Sequence, residues 1–268
     1  MRLVFVLGVI LGACPALAID ADSLGAALAA SGSNACAGQA AITWRTEGKS
    51  EDGPVQEIHS TVVWNGPVFR QQDERTSSDG ASLQQTRLYD GRRAVDVTYG
   101  GMTPYVLVQE ISRPYPNVQQ LGRLSPEESA GTTLSLVEER EDGTCVAALE
   151  KEGVTLKLWV EEASGFLVSR KEIWLASWSS AFPLRVITAS DLGVDSSGVW
   201  YPKAFVDETY GIAEDGTSEV AMRISGSVTA FSSAGSLEID RGLTIPMGAI
   251  VTDARVKPGG VWRIQSWW

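Results

Sequence analysis

Turn dipeptides set the rhythm of this chain and constrain its fold more than any other feature. Asp52-Gly53-Pro54, Asn65-Gly66-Pro67, Asp79-Gly80, Asp90-Gly91, Asp142-Gly143, Ser164-Gly165, Ser197-Gly198 and Asp215-Gly216 recur along it. In each, glycine adopts positive φ at no steric cost beside a residue that tolerates a tight turn. Apolar and polar residues alternate in residues 58–64, 154–160 and 220–224, the period of a strand whose two faces meet different surroundings. Turns every ~10–15 residues, with no long helical stretch to carry a parallel crossover, predict consecutive antiparallel hairpins. The fold class expected is mainly β.

Two intervals depart from this pattern. Residues 21–30 (ADSLGAALAA) have helix-forming composition, with Asp22 or Ser23 placed to cap the start and Gly32 to end it. Residues 111–131 hold Arg113-Pro114-Tyr115-Pro116, then Ser125-Pro126-Glu127-Glu128, which has the cap, first-turn proline and acids of a short helix. An irregular segment of this length in a β-protein is commonly a lid or binding element.

The N-terminus reads as an export signal. Arg2 precedes an apolar run over residues 3–11, and Ala16-Leu17-Ala18 has small residues at both cleavage-specifying positions. Residues 1–18 are therefore expected to be a secretory signal peptide, and residues 19–268 a single exported domain. Leu11-Gly12-Ala13-Cys14 offers a competing lipobox, in which Cys14 would be acylated and anchor the protein to the outer membrane. No later segment approaches the ~18 apolar residues of a spanning helix, so the mature chain is expected to be soluble and periplasmic.

Charge and cysteines narrow the partners. With 22 Lys+Arg against 33 Asp+Glu the net charge is −11, which disfavours nucleic acid and anionic membrane surfaces as electrostatic partners. Cys36 and Cys145 remain after cleavage and could pair in an oxidising compartment. Closing so long a loop would contribute about 4–5 kcal/mol in the chain-entropy treatment. Two buried thiols are the alternative.

Catalytic chemistry has little to draw on. His59 is the only histidine, which rules out a multi-histidine zinc site, and no Gly-x-Ser-x-Gly turn presents a nucleophile. Neither mature cysteine has a Cys-x-x-Cys partner, and no glycine-rich phosphate loop occurs. The acids cluster in solvated runs such as 138–142. No enzymatic activity, metal or cofactor is expected.

Nine tryptophans are the stronger signal. Residues 154–160 place Val154, Leu156, Leu158 and Val160 on one face and Trp159 on the other, and residues 166–175 are also apolar on both. Such strands are covered on both sides or line a cavity.

Four motifs resemble the LolA/LolB-type lipoprotein-carrier family of outer-membrane lipoprotein sorting. Trp64-Asn65-Gly66-Pro67-Val68-Phe69-Arg70 is followed by Tyr89-Asp90-Gly91-Arg92, Val97 and Tyr99. Leu158-Trp159-Val160-Glu161 with Gly165-Phe166-Leu167-Val168-Ser169-Arg170 is similar to the family's central hairpin. Leu243-Thr244-Ile245-Pro246-Met247-Gly248-Ala249-Ile250-Val251-Thr252-Asp253 is similar to its closing segment. The resemblance implies a strongly curved antiparallel sheet, an incomplete or half β-barrel, with a few short helices over an apolar concave face. Family carriers hold lipoprotein acyl chains, and related sensors recognise lipids or exposed outer-membrane protein segments. The chain is longer than the carriers, with the excess over residues 200–236, and Arg45 and Arg70 are both candidates for the arginine that locks the carriers' lid.

The function expected is that of a carrier or binding protein, with Trp44, Trp64, Phe69, Tyr99, Leu158 and Trp174 as candidate cavity residues. The partner expected is a lipid, lipoprotein acyl chain or apolar polypeptide segment bound by a monomer. A non-enzymatic envelope interaction, assembly or sensor protein with a filled core is the alternative. An integral barrel is opposed by acids on both faces of its would-be spanning strands.

Overall fold

A computed structural model of the chain describes residues 19–33, 36–48, 56–76, 82–100, 103–110, 113–118, 121–124, 128, 131–140, 143–256 and 260–263. The proposed signal peptide with Cys14, the Asp52-Gly53 and Asp79-Gly80 turns, and the capping end of the short helix at Ser125 lie outside these residues.

The hairpin expectation holds. One helix, α1 (Ala21–Ser33), precedes β1 (Ala37–Gly48), β2 (Gln56–Asn65), β3 (Val68–Thr76), β4 (Ser82–Tyr89), β5 (Arg93–Tyr99) and β6 (Tyr105–Glu110). After a strap over residues 111–132, of which 113–118, 121–124, 128, 131 and 132 are described, come β7 (Thr133–Glu139), β8 (Thr144–Lys151), β9 (Val154–Glu161), β10 (Leu167–Leu175), β11 (Arg185–Val194), β12 (Trp200–Ile212) and β13 (Ser218–Ala234). β14 (Ile250–Asp253) and β15 (Gly260–Arg263) close the chain. Gly66, Gly91, Gly143, Gly165, Gly198 and Gly216 all have positive φ at the expected turns.

All the strands join one sheet in the order β15-β14-β6-β5-β4-β3-β2-β1-β13-β12-β11-β10-β9-β8-β7. β1 is the seam. The β2–β6 meander runs off one side of it, and the β7–β13 meander returns to pair on the other, with Ile42 opposite Val228 and Trp44 opposite Gly226. One pairing departs from the antiparallel expectation, because β14 lies parallel to β6, with Ile250 beside Tyr105. No helix makes this crossover. Residues 235–249 cross outside any helix or strand, held by Arg70 Nη1 donating to Asp240 and by Tyr99 Oη donating to the Thr244 carbonyl at 2.6 Å.

The sheet is open, since β7 and β15 are different edges, and it is strongly curved. β4 and β10 are seven strand spacings apart in sheet order, roughly 33 Å on a flat sheet. Yet Arg87 of β4 and Lys171 of β10 line the same cleft, so the sheet must wrap around it. The expected half-barrel is what the chain forms.

Side chains pointing inward from the sheet build two core clusters. Trp44, Ile58, Val62, Trp64, Phe69, Phe205 and Ile224 pack beneath Val118 and Leu121 of the strap. Leu156, Leu158, Val160 and Val168 pack beneath Leu24 and Leu28 of α1, one helical turn apart on the same face. Asp20, rather than Asp22 or Ser23, starts this helix, as its Oδ1 accepts the Ser23 N–H at 2.7 Å. A third cluster joins Val97, Val106, Ala249 and Val251 beneath the crossover. α1 and the described residues of the strap thus cover the concave face.

The disulfide expected between Cys36 and Cys145 is not made. Cys36 is exposed at the head of β1, with Sγ directed at the Gly235 carbonyl, whereas Cys145 is buried in β8 under α1. β13, β12, β11, β10 and β9 lie between their strands, and a bridge needs Cα atoms within about 7 Å.

Candidate functional site: a charged cleft beneath the strap

Alternation along a strand decides which side chains reach the concave face. On β3 that face receives Phe69, Gln71, Asp73 and Arg75, opposite Tyr89, Arg87, Gln85 and Leu83 of β4. Across the curve it receives Lys171 and Ile173 from β10, opposite Ile187 and Arg185 of β11, with Phe205 and Asp207 beside them on β12. The strap supplies Arg113, Pro114, Tyr115, Pro116, Asn117, Leu121 and Glu128. Asp73, Arg75, Gln85 and Arg87 from β3 and β4, the β10–β12 residues and the strap residues enclose a cleft of about 520 Å³, within the size range of small-molecule sites.

The cleft is amphipathic. Leu121, Ile173, Ile187 and Phe205 give it apolar surface, while five cations, Arg75, Arg87, Arg113, Lys171 and Arg185, face three carboxylates, Asp73, Glu128 and Asp207. Among the lining residues cations outnumber carboxylates, although the chain as a whole carries a net charge of −11.

Three of these cations have their own carboxylate. Lys171 Nζ lies 2.9 Å from both Glu128 oxygens and 3.2 Å from the Arg123 carbonyl. Arg185 makes a two-pronged pair with Asp207, Nε donating at 2.7 Å, which holds its guanidinium above the ordinary arginine pKa. Arg87 donates through Nε to the buried Asp96, whose other oxygen accepts from Gln109 at 2.9 Å. Burial of a pair in this way fixes geometry more than it adds stability.

A buried network continues into the wall. Trp44 Nε1 donates to Ser60 Oγ at 2.7 Å, and Ser60 Oγ donates to Asp73 Oδ1 at 2.5 Å. Gln71 Nε2 donates to the same oxygen at 2.9 Å. Desolvation of Asp73 outweighs these donors and raises its carboxyl above the ordinary value. Tyr115 packs edge-on against Trp44, ring centroids 5.1 Å apart, and burial raises its phenol pKa.

The strap is pinned at several points. Gln71 binds the Tyr115 peptide, Arg87 Nη1 donates to the Arg113 carbonyl at 3.0 Å, and the Gly122 carbonyl accepts the Val168 N–H at 2.8 Å. Arg123 is buried beneath the Phe231 ring, 5.9 Å from its centroid, and donates to the carbonyls of Ser31 in α1 and Trp200 in β12. Burial pulls its pKa down to about 10, so it stays charged at neutral pH. Arg45 and Arg70 follow the inward Trp44 and precede the inward Gln71, so both point to the outer face.

The six candidate residues fall into separate places. Trp44, Trp64 and Phe69 come together in the core beneath the strap, each at most 3% exposed. Leu158 is buried beneath α1, and Tyr99 packs against the crossover. Trp174 lies half-buried on the outer face, where Lys157 Nζ sits 4.3 Å from its ring centroid and Glu172 accepts its N–H at 2.9 Å. Trp159 is covered likewise by Arg170 at 5.3 Å. The second apolar face of β9 and β10 is therefore screened by basic side chains.

His59 lies outside the cleft. It faces outward over a shallow depression of about 350 Å³, its Nδ1 3.0 Å from Thr43 Oγ1. Ser60, next in the chain, points inward, so the two cannot act as a base and nucleophile. Among the described residues no three or more His, Cys, Asp and Glu side chains group as metal ligands, and no helix is long and apolar enough to cross a membrane.

No protein-family description matches the sequence, and no curated protein matches it. Solved structures do. A putative outer-membrane lipoprotein-sorting protein domain from Vibrio parahaemolyticus aligns over 80% of this chain and 92% of its own, at 10% identity and a TM-score of 0.48. A LolA superfamily protein from Nitrosomonas europaea aligns over 81% and 94%, at 15% identity and a TM-score of 0.47. MucB in complex with MucA aligns over 78% and 94%, at 13% identity and a TM-score of 0.23.

Proposed function

We propose that this chain is an exported, non-catalytic binding protein that holds an apolar ligand in the cleft between its curved sheet and its strap. The observation that carries this reading is the convergence of Leu121, Ile173, Ile187 and Phe205 on one partly roofed space of about 520 Å³. Burying an acyl chain there gains ~0.8 kcal/mol per methylene, so a single long chain needs few specific contacts. Its working place is the periplasm, free after cleavage behind Ala18 or tethered to the outer membrane through Cys14. The ligand is a lipid, a lipoprotein acyl chain or an apolar polypeptide segment, bound by a monomer.

Native mass spectrometry of protein purified from the periplasm without detergent tests this. A reproducible added mass that organic extraction releases as lipid is expected. A bare protein mass, with no uptake of an apolar fluorescent dye, would contradict the cleft reading.

One observation favours a second reading, an envelope interaction or sensor protein with a filled core. Trp44, Trp64, Phe69 and Leu158 are at most 3% exposed, so the largest aromatic cluster of the concave face is occupied by packing. Under this reading the bare mass is the expected result.

A further inference from the structure

Every cation of the cleft is already engaged. Arg185 pairs with Asp207, Lys171 with Glu128, and Arg87 with Asp96. Arg75 Nη2 stands 3.8 Å from Asp73 Oδ2, and Arg113 is not free either. With four cations matched to four carboxylates, a charged headgroup would give up hydration and find no counter-charge waiting.

What the cleft still offers is hydrogen bonding, and it offers it at one place. Asp73 and Gln85 face each other across β3 and β4, with Arg75 at the next inward position of β3. Asp73 Oδ1 accepts from Ser60 and Gln71, whereas its Oδ2 accepts no hydrogen bond among the described residues. Gln85 Oε1 accepts from Arg75 Nη2 at 2.9 Å, which leaves Gln85 Nε2 and Arg75 Nη1 without acceptors among the described residues. The Arg75 Nε–H is buried beyond a ligand's reach, but these three atoms are not sealed, and Arg75 keeps 30% of its side chain exposed. Two donors thus stand beside one acceptor in the cleft that Ile173, Ile187 and Phe205 line from the far side of the curve.

We propose that the ligand is an uncharged amphiphile whose head carries a carbonyl and a hydroxyl. The carbonyl oxygen takes the Gln85 Nε2 and Arg75 Nη1 donors, the hydroxyl bonds Asp73 Oδ2, and the hydrocarbon chain lies against Leu121, Ile173, Ile187 and Phe205. This rests on the binding reading above and adds the chemistry of the headgroup. Burial raises the Asp73 pKa, and with Oδ1 taken a bound proton sits on Oδ2. A hydroxyl both donates and accepts, so it meets either form of the carboxyl, whereas a quaternary ammonium meets neither.

Isothermal titration of the purified protein with 1-monooctanoylglycerol, methyl octanoate, octyl phosphate and octyltrimethylammonium, each below micelle formation, separates the possibilities. The salt is held at about 0.15 M, where exposed charges are screened. The glyceryl ester is expected to bind about tenfold tighter than each of the others, the gain of one hydrogen bond to a charged group. Gln85→Leu is expected to weaken that ester about tenfold, for the same reason, and to leave octyltrimethylammonium, which makes no hydrogen bond, unchanged. Octyl phosphate or octyltrimethylammonium binding as tightly as the glyceryl ester overturns the uncharged head, and methyl octanoate doing so overturns the hydroxyl contact. Both results leave the apolar-binding reading intact. A folded Gln85→Leu protein with wild-type affinity for the glyceryl ester overturns the seating of the head on β3 and β4. Binding of none by the folded wild-type protein removes both readings. Should Gln85→Leu fail to fold, the ligand series on the unaltered protein decides alone, since it needs no variant.

Discussion

Gln71 holds the Tyr115 peptide at both of its polar atoms: its Oε1 accepts the Tyr115 N–H at 2.8 Å, and its Nε2 donates to the Tyr115 carbonyl. A side chain buried on β3 thereby imitates a neighbouring strand for one residue of the strap. The contact joins elements 44 residues apart in sequence and sets the roof height over the cleft.

Gln71→Ala removes both bonds and leaves the Tyr115 N–H without its acceptor. A loss of about 2–3 kcal/mol is expected, with faster amide exchange over residues 113–118 than over β1. Unchanged exchange in the strap would mean that Gln71 does not hold it down.

Asp73 makes a pH prediction. Its folded carboxyl pKa is raised, chiefly by desolvation, so between its unfolded and folded values the native state binds more protons than the unfolded one. Stability attributable to Asp73 is full below the unfolded value and is lost as pH rises through the folded one. Asp73→Asn should flatten stability against pH above about pH 4, measured by urea unfolding across pH. A steeper dependence in the variant would contradict the assignment.

At the opposite end of the pH scale, Arg255 holds Asp253 down to about 2. Because that pKa is depressed, its contribution is present above the unfolded value and disappears as pH falls toward 2. Arg255→Gln should shift the acid-unfolding midpoint to higher pH, and an unmoved midpoint would count against the pair.

Gly226 faces Trp44 across the β1–β13 seam. A Cβ there would stand 2.7 Å from the Trp44 Cβ, 2.8 Å from Phe205 and 2.8 Å from the Thr43 carbonyl. Backbone and core ring cannot both yield, so Gly226→Ala should cost about 1–3 kcal/mol. A thermal midpoint equal to wild type would show that the seam is looser than this packing implies.

The cysteines give a chemical check. In a chain spanning residues 19–268, one thiol, Cys36, should react with a maleimide in the folded state and Cys145 only after unfolding. Absence of any reactive thiol before reduction would indicate the bridge that the fold excludes.

Most of the architecture was legible in the sequence because its signals are local. The Asn65-Gly66 and Asp215-Gly216 turns and the alternation of residues 154–160 each report short-range geometry, and each landed where expected. The Glu152-Gly153 turn, with positive φ at both residues, carries no such signal, because glutamate rarely takes that conformation. The parallel partnership of β14 and β6 was not readable, since nothing near either strand encodes a crossover from the far side of the sheet.

The cleft was harder to find. Gln71, Asp73 and Arg75 alternate along β3 like a solvated face, and only the curvature of the sheet turns that face inward. The register slip at Ser169 had the same effect on β10. Leu167 and Val168 are both buried, and beyond the slip Lys171 points in while Trp174 points out. Trp44 and Trp64 fill the core, and Trp159 and Trp174 lie under basic residues. A continuous apolar stretch would have marked a cavity, whereas this one is marked by charge buried in an acidic chain.

The most direct test is methyl NMR of isoleucine-labelled protein titrated with a single-chain amphiphile such as 1-monooctanoylglycerol. The account predicts that Ile173 and Ile187, which line the cleft, shift progressively, while Ile212 at the β12 end and Ile250 in β14 stay in place. Shifts confined to Ile212 or Ile250, or none at saturating ligand, would contradict a binding site between the curved sheet and the strap.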